Sequence, residues 1–260
     1  MIQRKARIRT KNPSAKPLRA SIITNKRAIV RLGSLTPLGK VFPNRRDVVE
    51  INTVEAIQNS RGKIRMKDCF SKLDIPQAEW WSFEKEFDSN KFPYPIVLKR
   101  IFGFKGHGMA LINNKKEFDS WYSQHKNHHD YFIEKFYNYA REYRIHVASG
   151  NIGCFMSWRK LRRQDSKERW FFNSSNCNWV SDQHELFDKP KCWKQMEAAA
   201  ICCIKSTGLD IGAVDIRVQS NEHDNPKFIV CEINSAPALG EIGIIKYKEI
   251  ITNLINSKNV

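Results

Sequence analysis

The sequence predicts an α+β protein, on three observations: an apolar hairpin near the C-terminus, an amphipathic helix just before it, and short upstream strands punctuated by Gly, Pro and Asn. In the hairpin, residues 211–218 and 227–233 are strand-like and residues 221–226 form the turn. The helix is read over residues 191–207, where Trp193, Met196, Ala200, Ile201 and Ile204 share one face and Gly208 is placed to stop it.

The other elements follow in order. Residues 1–20 are polar and basic, with Pro13 and Pro17 opposing a long helix, and read as an arm ordered only in places. Residues 21–32 suggest two short strands across a Thr24-Asn25 turn, then a loop with Gly33, Pro37 and Gly39. A helical pattern spans 53–73, broken near Asn59-Ser60; its second half puts Ile64, Cys69 or Phe70, and Leu73 on one face, and Ile75-Pro76 ends it. Strands at 96–100 and 109–112 flank a glycine-rich loop; 117–125 reads as a helix and 131–136 as a strand. Residues 144–148 and 152–158 pair across a Ser149-Gly150 turn, and 159–188 read as polar loop.

Composition excludes some classes. With 41% apolar and 27% charged residues in 260, the chain is not wholly disordered. No segment approaches the roughly 20 apolar residues of a membrane span, and the basic N-terminus lacks the apolar core of a secretory leader. Seven cysteines, with no C-x-x-C pair, suit neither a disulfide framework nor structural zinc and fit a reducing cytoplasm. The net charge is +17, yet the first 46 residues hold 13 Lys or Arg and no acid, leaving only +4 on the other 214. Such an arm favours an acidic partner (nucleic acid, acidic peptide or polyphosphate), with generic solubility as the alternative.

Two segments carry chemistry. If Val218 pairs near Phe228, Asp215 lies across from Cys231 or Glu232, while Glu232 and Asn234, two apart, share a face. Converging hard oxygens suit Mg²⁺, which takes one or two carboxylates plus substrate phosphates. A solvated polar face is the alternative, although Val214, Ile216, Val230 and Ile233 suggest burial. Upstream, the strand Ile96-Val-Leu-Lys99 runs into Gly103-Phe-Lys-Gly-His-Gly108, where glycines let backbone N–H groups approach phosphate and Lys99 and Lys105 supply charge. The loop has neither the Walker ending nor the helix that follows a Rossmann fingerprint, so an ordinary hairpin loop stays open.

The order of the pieces narrows the reading. Ser60-Arg-Gly-Lys63-Ile-Arg65, then Lys99 and its loop, Ile133-Glu-Lys-Phe-Tyr137, Glu142-Tyr-Arg144, Asp215 and Glu232-Ile-Asn234-Ser-Ala-Pro follow one another. From about Asn52 to Ile250 this series resembles the ATP-grasp superfamily of carboxylate–amine ligases, and within it the RimK-type glutamate ligase branch. The resemblance implies an α+β ATP-grasp fold, two lobes sandwiching ATP. Residues 1–20 would be the arm, 21–60 a reduced N-terminal piece and 61–260 the ATP-grasp domain, with lobes at about 61–135 and 136–260.

It also implies roles. Lys63 and Lys99 would contact the ATP phosphates, with the loop of Lys105, Gly106 and Gly108 closing over them. The backbone of Lys135, Phe136 and Tyr137 would hold adenine, and Glu142 the ribose. Asp215, Glu232 and Asn234 would hold two Mg²⁺ ions, Asn173 would approach the phosphates, and Arg144 and Arg159 would face the transferred phosphoryl group. The carboxylate would first take the γ-phosphoryl group, and an amine or amino acid would then attack the acyl phosphate. No Ser or Cys nucleophile is required, and Cys202-Cys203 read as core residues of their helix.

An acidic peptide or protein is the expected acceptor, with nucleic acid a further possible partner through the arm. The alternative is a nucleic-acid or assembly-associated binding protein with this fold and little turnover. The basic run Arg159-Lys-Leu-Arg-Arg163 is either a charged surface loop or part of acceptor recognition. Trp80, Trp81 and Trp158 read as packing residues.

Overall fold

The computed structural model describes residues 6–8, 18–20, 27–37, 39, 48–83, 88–103, 106–166, 170–173, 176–220 and 222–258. Near the N-terminus β1 (Ala6–Ile8) pairs antiparallel with β2 (Leu18–Ala20), and β3 (Arg27–Val30) runs parallel to β4 (Val48–Ile51). Two helices follow, α1 (Val54–Arg61) and α2 (Lys63–Ser71). A small sheet contains β5 (Trp80–Ser82), β6 (Ile96–Arg100), β7 (Ala110–Ile112) and β8 (Tyr131–Lys135) in the order β5-β8-β6-β7, with α3 (Lys115–Gln124) before β8. A large sheet contains β9 (Arg141–Ala148), β10 (Gly153–Arg162), β11 (Cys177–Ser181), β12 (Ile211–Val218) and β13 (Phe228–Asn234), in the order β11-β10-β9-β12-β13. Helix α4 (Trp193–Thr207) precedes β12, and α5 (Glu241–Ser257) ends the described chain.

Strand alternation places the core. On β9, Tyr143, Ile145 and Val147 point to one face, where they pack with Val214, Ile216 and Val230 beneath α1, α2 and α4. Helix α4 ends as its sequence dictates: Gly208 takes φ +75° and its N–H donates to Ile204 O at 2.9 Å. The opposite face is divided. At one end Ala148, Met156 and Ile211 are covered by Tyr247, Ile251 and Leu254 of α5; the other end carries charged side chains. The small sheet has a separate core of Ile96, Leu98, Ile112, Phe118 and Ile133.

Several expectations change. Residues 27–30 pair in parallel with β4, a partner the sequence did not indicate; the Thr24-Asn25 turn and the strand before it lie outside the described residues. The helical break falls at Gly62, because Asn59 and Ser60 satisfy their side chains without leaving the helix, on Thr207 O (3.0 Å) and Ile57 O (3.1 Å). Leu73 is 47% exposed, and Met66, Cys69 and Phe70 fill the core in its place. Residues 54–70 pack on the large sheet, whereas 80–135 build the small one. Residues 159–188 are not all loop: β10 continues to Arg162 and β11 adds an edge strand. Every cysteine is a free thiol, and no helix among the described residues is long and apolar enough to cross a membrane.

Candidate active site

The hairpin of β12 and β13 pairs Val218 with Phe228 and Asp215 with Glu232. Cys231 is the extra residue of a bulge, which keeps Asp215, Glu232 and Asn234 on the same face. Across β9 and β10 the rows run Glu232–Asp215–Arg144–Trp158 and Arg217–Glu142–Lys160. The charged end of the sheet is therefore set by register alone.

These groups are matched, and Glu142, Lys160 and Asp215 among them are buried. Arg144 makes a two-pronged bond to Asp215, Nε to Oδ1 and Nη2 to Oδ2, both 2.7 Å. Lys160 Nζ reaches Asp215 Oδ2 at 3.1 Å and also pairs with Glu142. Lys63, at the start of α2, donates to Glu232 Oε2 at 2.7 Å, and Asn234 Nδ2 donates to Glu232 Oε1 at 3.0 Å. Trp179 lies under two of the cations, with Arg144 4.7 Å and Lys160 4.9 Å from its ring centre. Lys63 is the main cause that holds the Glu232 carboxyl far below the usual range. Burial would raise Asp215, but Arg144 and Lys160 reverse that and hold it low. Burial works against the charge on Arg144, yet Asp215 raises it above its ordinary value.

The small sheet adds a second cluster. Glu134 of β8, only 4% exposed, lies between Lys99 of β6 and Lys67 of α2. Burial opposes its ionisation, but the two lysines outweigh it and bring the carboxyl down to about 2. Burial lowers Lys67 despite Glu134, whereas for Lys99 the pull of Glu134 outweighs burial and raises it.

Between the sheets lies a slot. Val97, Lys99 and Glu134 line it from the small sheet, and Arg217, Ile229 and Cys231 from the large one. Phe136 and Tyr137 stand at the crossing between the sheets, and Trp170 and Phe171 close the top. The glycine loop meets that roof: at Gly106 (φ +76°) a Cβ would come within 2.9 Å of the Phe171 ring, so only glycine fits. Gly108 is likewise left-handed (φ +71°) against Arg100.

The structure thus gathers Lys63, Arg144, Glu142, Asp215, Glu232 and Asn234 into one network, with Lys99 and the Gly106–Gly108 loop at the same slot. Lys105 lies outside the described residues. Arg159 is not brought to this group. It pairs in register with Tyr143 and turns to the other face, where it bonds Asp188 and Leu186 O; Lys160, one residue on, faces the site. Asn173 is engaged in a turn, its Oδ1 accepting the Asn176 N–H at 2.9 Å. The N–H groups of Lys135 and Phe136 donate to Glu79 O and Pro95 O, and the Lys135 side chain pairs outward with Glu79.

Lys67, Glu134, Lys160, Trp179 and Arg217 were not among the expected site residues. A signal was present for two of them: Lys67 is four residues from Lys63 on one helix face, and Arg217 shares strand parity with Asp215.

Comparison with known proteins agrees with this geometry. Residues 78–257 match the family described as the RimK-like ATP-grasp domain. No curated protein sequence matches the chain. Among solved structures, biotin carboxylase of Campylobacter jejuni is similar at 16% identity and TM-score 0.65, covering 90% of this chain and 55% of that one. The N5-carboxyaminoimidazole synthetase of Staphylococcus aureus, complexed with ADP, gives 18% identity and TM-score 0.60 over 82% of this chain and 56% of its own. D-alanine–D-alanine ligase of Bacillus anthracis gives 16% and 0.54, over 80% and 67%. The chain therefore spans about half to two thirds of the length of these proteins, and at such identities they show the fold alone. With its family matched over more than half its length and both sheets of the fold in place, the chain belongs to the RimK-like ATP-grasp family.

Proposed function

We propose that this chain joins a carboxylate to an amine through an acyl phosphate, with ATP held in the slot between the two sheets. The supporting observation is the charge-paired face of Arg144, Lys160, Asp215 and Glu232, which lies beside Lys63 and continues into the slot of Lys99. Each cation there already holds a carboxylate. A triphosphate would take Lys63 and Arg144 as partners and free oxygens of Glu232 and Asp215.

Those oxygens, with Asn234, form a donor set that fits Mg²⁺. They are hard, ionised at neutral pH and few enough to need phosphate oxygens to complete the shell. Among the described residues no group of three or more His, Cys, Asp or Glu forms a metal site without such help. Bound there, Mg²⁺ supplies charge neutralisation on the phosphates. Tyr137, just beyond β8, offers its backbone to the adenine, and Glu142 lies nearest the ribose.

In the first step a carboxylate oxygen bonds to the γ-phosphorus and ADP leaves. In the second a neutral amine bonds to the acyl carbon, inorganic phosphate leaves and the nitrogen gives its proton to solvent. Lys63, Arg144 and Lys160 stabilise the spread negative charge of both steps, and hydrolysis of the acyl phosphate is limited to the extent that the glycine loop, packed near Phe171, keeps water out. The basic first 46 residues support an acidic peptide or protein as acceptor, and seven free thiols fit a reducing cytoplasm.

The test is ADP release from Mg-ATP screened against amino acids, polyamines and acidic peptides, followed by mass spectrometry of the product. Acceptor-dependent ADP release with a product mass equal to acceptor plus amine minus water is expected. ADP release with no joined product, or none with any pair, overturns the ligase reading.

A further inference from the structure

Arg217 is a buried cation to which the reaction above gives no role. It lies two residues beyond Asp215 on β12 and on the same face, about 7 Å along the strand toward the slot. Its side chain is 12% exposed. The guanidinium rests over the Phe172 ring, 5.3 Å from its centre, and one terminal nitrogen donates to Tyr139 O at 3.0 Å. The buried Nε has no hydrogen-bond partner among the described residues, and the Glu142 carboxylate stands 3.8 Å away. Around it the slot carries aromatic side chains, Phe136, Tyr137, Trp170 and Phe171, with Lys99 and Glu134 in the facing wall.

A planar cation held on an aromatic ring, with a spare donor and a slot lined by further aromatic rings beside it, is equipped to stack on a heteroaromatic base. We propose that Arg217 grips the base end of the nucleotide: one side of the guanidinium lies on Phe172 and the other stacks on the purine, with Nε–H free for the ribose edge. Asp215 and Glu232 then take the phosphate end, one strand repeat away. The inference rests on the reading that the slot takes ATP, and it adds a base-contacting residue to that reading.

The test is calorimetric titration of Mg-ATP into the wild type, Arg217→Lys and Arg217→Met at several salt concentrations, with circular dichroism to confirm folding. Lysine keeps the charge and loses the plane. Arg217→Lys is therefore expected to weaken ATP binding about tenfold with an unchanged dependence of log Kd on log salt, and Arg217→Met to weaken it at least as much. If Arg217 only attracts phosphate, Arg217→Lys stays within about twofold of the wild type while Arg217→Met weakens binding and flattens the salt slope; that result overturns the proposal. Equal affinity in all three proteins overturns it as well. A wild type that binds no ATP defeats the nucleotide reading itself and this inference with it.

Discussion

The two faces of the large sheet are made by the same strands and are buried to nearly the same degree, yet they are held in opposite ways. On β9, Tyr143, Ile145 and Val147 are fully buried on one face, and Glu142, Arg144 and His146 are almost as buried on the other. The first face is stabilised by removal of apolar surface from water, roughly 25 cal/mol per Å². The second must overcome the cost of desolvating charges, and does so only because each carboxylate faces a cation. Apolar side chains of like volume would hold the sheet as well, so the charged face is accounted for by chemistry and the apolar face by stability.

Substitutions on the two faces are therefore expected to separate the two properties. The largest effect is expected for Asp215→Asn, which keeps volume and removes charge: ADP release falls at least about 100-fold while the circular dichroism spectrum is retained. Full activity in this variant would make the charged face structural. Next comes Ile145→Ala on the opposite face. Chemical denaturation is expected to show a loss of about 3 kcal/mol, with ATP affinity within about twofold of the wild type. A reversal, with stability intact and affinity lost, would erase the distinction.

His146 lies where the charged end meets the α5 core. Its Nδ1 is 2.9 Å from Tyr247 Oη, and burial, then Arg144, hold its pKa down at about 3 from an ordinary 6.5. Below pH 6.5 the unfolded chain takes a proton that the folded one refuses. The stability contributed by neutral His146 is thus present above pH 6.5 and lost as pH falls toward about 3. Between pH 6.5 and 5 this amounts to roughly 2 kcal/mol, and urea midpoints for His146→Phe are expected to show a clearly shallower acid dependence. Identical slopes in both proteins would contradict it. Glu134, held at about 2, acts in the same direction at lower pH. The smallest effect is expected far from both faces: Lys115→Ala removes an exposed i,i+4 pair with Asp119, and the unfolding midpoint should report a loss below about 0.5 kcal/mol.

Much of the charged face was legible in the sequence, because strand parity and a short turn determine it. Pairing Val218 with Phe228 was enough to bring Asp215 opposite Cys231 or Glu232, and the Cys231 bulge decides for Glu232 and so makes the common face. On the next strand a bulge between Cys154 and Met156 shifts the register, so that Lys160 rather than Arg159 pairs with Glu142; parity counted from the Ser149-Gly150 turn alone favours Arg159. What was not legible depends on long-range pairing. Strand β11 is only five residues long, lies in a stretch that is polar on the whole, and becomes a strand through its register with β10, where Trp179 meets Lys160. Lys67 reads as a solvated helix residue until Glu134, brought from β8, gives it a buried partner. Strand β4 exists through its parallel partner β3, and α5 through the sheet end it covers.

The account depends most on ATP occupying the slot with its phosphates at the two upstream lysines. Calorimetric titration of Mg-ATP into the wild type and Lys99→Ala tests it directly. Saturable binding of one ATP per chain, weakened at least about tenfold in the variant, is the predicted result; no saturable binding, or equal affinity in both proteins, would contradict it.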